Sequence, residues 1–253
     1  MDLRIKNKKA LVLGGSKGIG LAIAKALAAE GAQVTIVSRK PEQAQLGPAF
    51  QTIAADLSRP NAPADIYAQL QSRGFHPDIL VNNTGGPAPG TALDQPLEAL
   101  REGFQSLVLS QVELAQLCAK DMKARKWGRI ISVASSSVIC PLPNLAASNL
   151  LRSGLMAWTK TLATELGPYG VTVNTLIPGR IDTDRLKFLD AFQAEKQNKP
   201  VEDVSAAIQQ EIPVRRYGQP EEFAAVAAFI CSESAAYVTG STIRIDGGYI
   251  PSV

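Results

Sequence analysis

Short apolar runs alternate with longer stretches of helical periodicity along this chain. The short runs are Ala10–Leu13, Val34–Val37, Gln51–Ala54, Ile79–Asn82, Arg129–Val133, Thr172–Leu176 and Thr242–Ile245. Their apolar positions are continuous rather than alternating. That pattern predicts strands buried on both faces, as in a parallel sheet covered by helices. The longer stretches predict helices over Ile19–Glu30, Ala62–Arg73, Leu97–Arg125, Leu145–Leu166 and Pro220–Cys231. Strand, helix, strand in this order gives βαβ units, and hence an α/β fold with a doubly wound parallel sheet in three αβα layers. One segment breaks the rhythm. Asp182 to Tyr217 is polar and predicts one or two short helices between the last two strands. An insertion at the carboxyl ends of parallel strands is where ligand-covering lids sit.

Composition narrows the class. At 253 residues with 45% hydrophobic content, the chain suits a single domain spanning 1–253 with a sizeable core. A net charge of +3 without a basic stripe gives no reason to expect nucleic acid. Three scattered cysteines and one histidine (His76) predict neither a disulfide framework nor a metal site. They fit a reducing, cytoplasmic setting. No apolar run is long enough to span a membrane, and charges lead directly into the first strand without a signal-peptide pattern.

The candidate chemistry begins at Gly14-Gly15-Ser16-Lys17-Gly18-Ile19-Gly20, between the first strand and the first helix. Glycines permit a tight turn and close backbone approach. The helix N-terminus presents unpaired N–H groups to an anion, here a dinucleotide pyrophosphate. The second strand ends in Ser38-Arg39-Lys40, where an NAD site carries an acid for the ribose 2′-hydroxyl. Two cations and no acid predict NADP(H), with Arg39 as the 2′-phosphate ligand and Lys17 adding charge. Asp56-Leu57 and Asn83-Thr84-Gly85 follow the third and fourth strands and place further polar groups along the same sheet edge.

These residues, with Gly128-Arg-Ile-Ile131 leading to Ser135, Pro178-Gly179, Thr183, Tyr217-Gly-Gln-Pro-Glu221 and Asp246-Gly-Gly248, make the chain resemble the short-chain dehydrogenase/reductase family. In layout it is close to bacterial 3-oxoacyl-acyl-carrier-protein reductases. The resemblance spans nearly the whole chain. It implies a Rossmann-type sheet of seven strands, nicotinamide near Pro178, Gly179, Ile181 and Thr183, and a homodimer or homotetramer. The two long helices and the tail Thr242–Val253 would form the interfaces.

The resemblance also implies a catalytic serine, a tyrosine thirteen residues later, a lysine four further on, and an asparagine on the preceding long helix. Ser135 matches the serine. Ser148 stands where the tyrosine is expected, Arg152 where the lysine is, and Ser106 where the asparagine is. An aliphatic hydroxyl is a poorer proton donor than a phenol, and an arginine holds its proton near neutrality. Three readings follow. Ser135 and Ser148 hydrogen-bond a substrate carbonyl while Arg152 steadies the oxyanion and meets the nicotinamide ribose, in an NADP-dependent oxidoreductase with altered proton transfer. Alternatively, the chain binds NADP without turnover, as a sensor or partner subunit. A third reading is non-redox chemistry on a carbonyl compound. The expected partner besides NADP(H) is a small carbonyl or hydroxyl substrate. Arg180 is expected either to meet an acidic substrate or to pair with Asp182 or Asp184. Cys140 falls near the expected site and reads as a packed thiol.

Overall fold

The computed structural model describes residues 2–44, 46–47 and 50–252. Seven strands form one sheet: β1 (Lys9–Leu13), β2 (Gln33–Ser38), β3 (Phe50–Ala54), β4 (Ile79–Asn82), β5 (Gly128–Val133), β6 (Val171–Pro178) and β7 (Thr242–Ile245). Their order is β3-β2-β1-β4-β5-β6-β7, and every pairing is parallel. All carboxyl ends therefore lie along one edge. The winding reverses between β1 and β4, which opens a crevice at that edge.

Helices cover both faces. Alternate strand residues point to opposite sides. Ala10, Val12, Val81 and Ile131 pack with Ile23, Leu27 and Phe223 of α1 (Gly18–Ala29) and α8 (Pro220–Ile230). Leu11, Leu13, Leu80 and Ile130 pack on the other face with Ile66 and Leu70 of α2 (Ala62–Ser72), Leu114 of α4 (Ser110–Arg125) and Leu162 of α5 (Ala146–Leu166). The expected double burial holds for the central strands. It fails at the two edges, where β3 and β7 are largely exposed or half-buried along their length. An edge strand has a neighbour on one side only, so its outer flank meets solvent.

The expected continuous helix over Leu97–Arg125 is broken. α3 (Leu97–Phe104) passes through a π-helical turn at Gln105–Leu109 before α4 begins. No proline causes this. Ser110 Oγ shares its one proton between Leu57 O (2.6 Å) and Gln105 O (2.9 Å), and Ser106 Oγ donates back to Glu102 O (3.0 Å). Side-chain hydroxyls thus take carbonyls at the turn where the spacing widens.

The segment after β6 forms two helices, α6 (Asp184–Gln197) and α7 (Val201–Glu211). It is closed at its base. Ile181 bridges Gly218, with Asp182 N donating to Gly218 O (2.8 Å) and Gly218 N to Arg180 O (2.9 Å). Ala194, Val204 and Ile208 give the helix pair a small core of its own.

Candidate active site and cofactor cradle

The glycine turn between β1 and α1 is shaped by space as well as by backbone angle. Gly14 has φ +61°, and a Cβ there would stand 2.7 Å from Asn83 O. Asn83, just beyond β4, donates through Nδ2 to Leu13 O (3.3 Å) and Gly14 O (3.4 Å), tying the two strand ends across the crevice. Gly20 faces the same Asn83 amide, and a Cβ there would lie 2.6 Å from it. Gly18 (φ +55°) lies under Thr183, whose Cγ2 would be 3.3 Å from an added Cβ.

α1 starts at Gly18 after Lys17, which caps nothing with its side chain, and the first turn holds no acid. Its opening N–H groups and positive dipole end are left for an outside anion. Ser16 is half-buried, Lys17 exposed and Ile19 half-buried beside them. A pyrophosphate fits this cradle on two counts: glycines let the turn close tightly against Asn83, and the helix end carries no acid of its own.

The end of β2 suits a second phosphate. Ser38 Oγ is buried and without a hydrogen-bond partner, and Arg39 beside it is exposed. Asp56 accepts from Ser58 N (3.0 Å) and Ser58 Oγ (2.9 Å). Those bonds chiefly hold its carboxyl below the usual range, with Arg39 contributing as a nearby charge. Asp56 is thus turned onto its own loop and leaves the Arg39 guanidinium unpaired among the described residues. Leu57 follows, half-buried, its carbonyl taken by Ser110.

Ser135 stands just beyond β5, and Ser148 and Arg152 are carried on α5. Ser135 caps the 3-10 turn Ser136–Val138, its Oγ accepting from Ser137 N (3.2 Å). Accepting there leaves its own O–H free to donate outward. Ser148 lies in the first turn of α5 and is 6% exposed. Arg152, one turn on, is buried. Its Nη1 donates to Val133 O (2.9 Å) at the end of β5, and its Nη2 to Thr84 O (3.2 Å) beyond β4. Arg152 thus spans two strand ends. Burial first, and the nearby Arg185 charge second, push its pKa down to about 10, which still leaves it charged at neutral pH.

Thr84 is held from the other side by Gln111 of α4, whose Nε2 reaches Thr84 Oγ1 (3.2 Å). Gly85 follows, exposed, in an open stretch of loop. On β6, Pro178 is half-buried, and a Cβ on Gly179 would strike Asp246 Cα at 2.5 Å. Ile181 is buried, and Thr183 caps α6 by accepting from Leu186 N (3.4 Å).

Two outcomes differ from the sequence reading. Arg180 pairs with neither Asp182 nor Asp184. It faces Asp190 of α6 at 3.9 Å and lies over the Tyr249 ring, while Asp182 pairs with Lys187 at 3.7 Å. Nearly two turns of α6 carry Asp190 back over Arg180, a return that adjacency in sequence hides. The second is Arg185, which the sequence reading missed. Its Nη2 donates to Pro87 O (2.8 Å), and it is half-buried beside Gly86. Only its place two residues after Thr183 could have flagged it.

Cys140 is half-buried and lines a cavity of about 240 Å³ with Leu142, Glu211, Tyr249 and Ile250, beyond the end of β5. Among the described residues there is no cluster of side chains able to hold a metal ion, and no helix is long and apolar enough to cross a membrane.

Comparison with known proteins agrees with this layout. A family model described as enoyl-(acyl carrier protein) reductase matches residues 14–250. The NADPH-dependent reductase BacG of Bacillus subtilis is 30% identical, over 98% of this chain and all of that protein. The 3-oxoacyl-[acyl-carrier-protein] reductase FabG of Vibrio cholerae is 32% identical, over 97% of this chain and 98% of its own length. Among solved structures, the L-sorbose reductase of Gluconobacter frateurii, complexed with NADPH and L-sorbose, superposes with a TM-score of 0.92. It is 31% identical, and the match covers both chains in full.

Proposed function

The chain belongs to the short-chain dehydrogenase/reductase family and is an NADP(H)-dependent oxidoreductase, and from that premise we propose that it reduces a small carbonyl compound without a tyrosine acid. The observation that carries this reading is the buried Arg152 joining the ends of β4 and β5 beside Ser148 and Ser135. When bound, the dinucleotide supplies the hydride.

Gly14, Ser16, Lys17, Gly18, Ile19 and Gly20 hold its pyrophosphate, and Ser38 and Arg39 its 2′-phosphate. Asp56, Leu57, Asn83, Thr84 and Gly85 line the adenosine-to-ribose path. Pro178, Gly179, Ile181 and Thr183 border the nicotinamide. Ser135 donates its free O–H to the substrate oxygen, and Ser148 donates a second hydrogen bond. Arg152 stabilises negative charge growing on that oxygen, in a buried setting where a fixed cation acts strongly. Neither hydroxyl is acidic enough to give up a proton readily, so water admitted under α6 and α7 completes the alcohol. Residues 182–217 act as the lid, closed at its base by the Ile181–Gly218 bridge. The protein works in the cytoplasm as a homodimer or homotetramer.

The test is paired. NADPH binding is read by fluorescence, then turnover on a panel of ketones and 3-oxoacyl thioesters. Wild-type turnover that Ser135→Ala abolishes supports the reading. Tight NADPH binding without turnover, with activity appearing only in the Ser148→Tyr/Arg152→Lys double variant, refutes it in favour of a binding protein.

A further inference from the structure

Arg152 and Arg185 lie near each other, and among the described residues they have no counter-ion. Their guanidinium groups anchor three residues apart on one loop, Arg152 on Thr84 O at 3.2 Å and Arg185 on Pro87 O at 2.8 Å. Among the described residues neither has a carboxylate within ion-pair distance, and the nearby Arg185 charge adds to the cost of keeping Arg152 charged. Arg129 and Arg180 differ, since they face Glu233 (3.6 Å) and Asp190 (3.9 Å). A cation held in the interior by carbonyl dipoles alone recovers only part of its lost hydration. Arg152 is only 7% exposed, and its bonds to Val133 O and Thr84 O leave other N–H donors without a protein acceptor.

We propose that Arg152 and Arg185 form a receptor for a carboxylate on the substrate, next to the reacting carbonyl, so that the enzyme acts on oxo acids rather than neutral thioesters or ketones. This rests on the reading that NADP(H) occupies the glycine cradle. The cofactor's phosphates have their own places at the α1 N-terminus and at Arg39. Arg152 instead joins the ends of β4 and β5, on the helix that carries Ser148, and Arg185 holds the loop beyond β4. Two planar guanidinium forks match the two oxygens of a carboxylate. Arg185 sits in the first turn of α6 and already ties it to Pro87 O, so a bound anion is held between the lid and this loop.

The test uses NADPH-saturated protein and calorimetric titration with oxamate, its neutral ethyl ester and inorganic phosphate. Oxamate is expected to bind about tenfold or more tightly than the ester or phosphate. Arg185→Gln, on an accessible lid helix, is expected to weaken oxamate by about tenfold, to leave NADPH affinity within about twofold, and Arg185→Lys to recover part of the loss. Absent oxamate binding, oxamate affinity unchanged in Arg185→Gln, a preference for phosphate, or a loss confined to NADPH affinity each overturns the proposal. The same titrations on unloaded protein separate the two readings. Arg185-dependent oxamate binding in a protein that does not bind NADPH keeps the anion receptor and sinks the cofactor reading.

Discussion

At the scale of single residues, the cofactor preference turns on Arg39. With Ser38 Oγ buried and unpartnered and no acid at the end of β2, Arg39→Ala removes the charge-assisted bond a 2′-phosphate needs. Such bonds contribute about 1.5–3 kcal/mol. NADPH affinity is expected to fall roughly ten- to hundredfold while NADH affinity holds, as read by fluorescence titration. Equal losses for both would reject the role. Gly14→Ala tests the cradle. Its φ of +61° and the 2.7 Å approach to Asn83 O leave no room for a methyl group. A loss of about 1–3 kcal/mol in chemical denaturation is expected, together with weaker NADPH binding. The sequence made these positions readable because a glycine turn and a missing acid are local signals. It did not make Arg185 or the Arg180–Asp190 contact readable. Both depend on where α6 turns back over the crevice, which no short motif records.

Elements were legible where hydrophobic periodicity is strong. All seven strands lie where apolar runs predict them, and most gain a residue or more at their ends through pairing with neighbours. The break between α3 and α4 was hidden, because Ser106 and Ser110 look like ordinary helix residues until their hydroxyls take backbone carbonyls. The start of α8 carries a pH prediction. Arg216 first, and the backbone N–H of Gln219 second, hold Glu222 at a pKa of about 2, against an ordinary value of 4.5. A carboxyl lowered on folding adds stability that is full above about 4.5 and is lost as pH falls towards about 2. Glu222→Gln is therefore expected to lower Tm at neutral pH, with the gap to wild type closing as the pH drops through that window. A gap that stays constant down to the acid end would show that the Arg216–Glu222–Gln219 cluster does not stabilise the helix start.

The whole molecule presents apolar surface that its own fold does not use. Leu97 and Phe104 on α3, Leu109 in the π turn and Leu150 on α5 are all exposed, at 68%, 45%, 42% and 63%. They lie on the two long helical stretches that carry more apolar positions than one buried face requires. Exposed large hydrophobics gathered on neighbouring helices mark an association surface rather than scattered surface residues. Symmetric pairing is the ordinary way for a soluble chain to cover it. The topology was readable from the alternation of strands and helices, but the partner surface was only implied, since one chain shows its apolar faces without what covers them. Val253, the last residue of the tail expected at a second interface, lies outside the described residues. Light scattering at micromolar concentration is expected to give a dimer or tetramer, and Leu150→Glu to shift the population towards smaller species while circular dichroism stays unchanged. Leu150 lies two residues from Ser148 and Arg152 on the same helix, so a dimer there would also brace the first turns of α5 that hold the site. Loss of NADPH turnover together with the assembly would follow from that coupling. A Leu150→Glu protein that remains assembled would place the interface elsewhere.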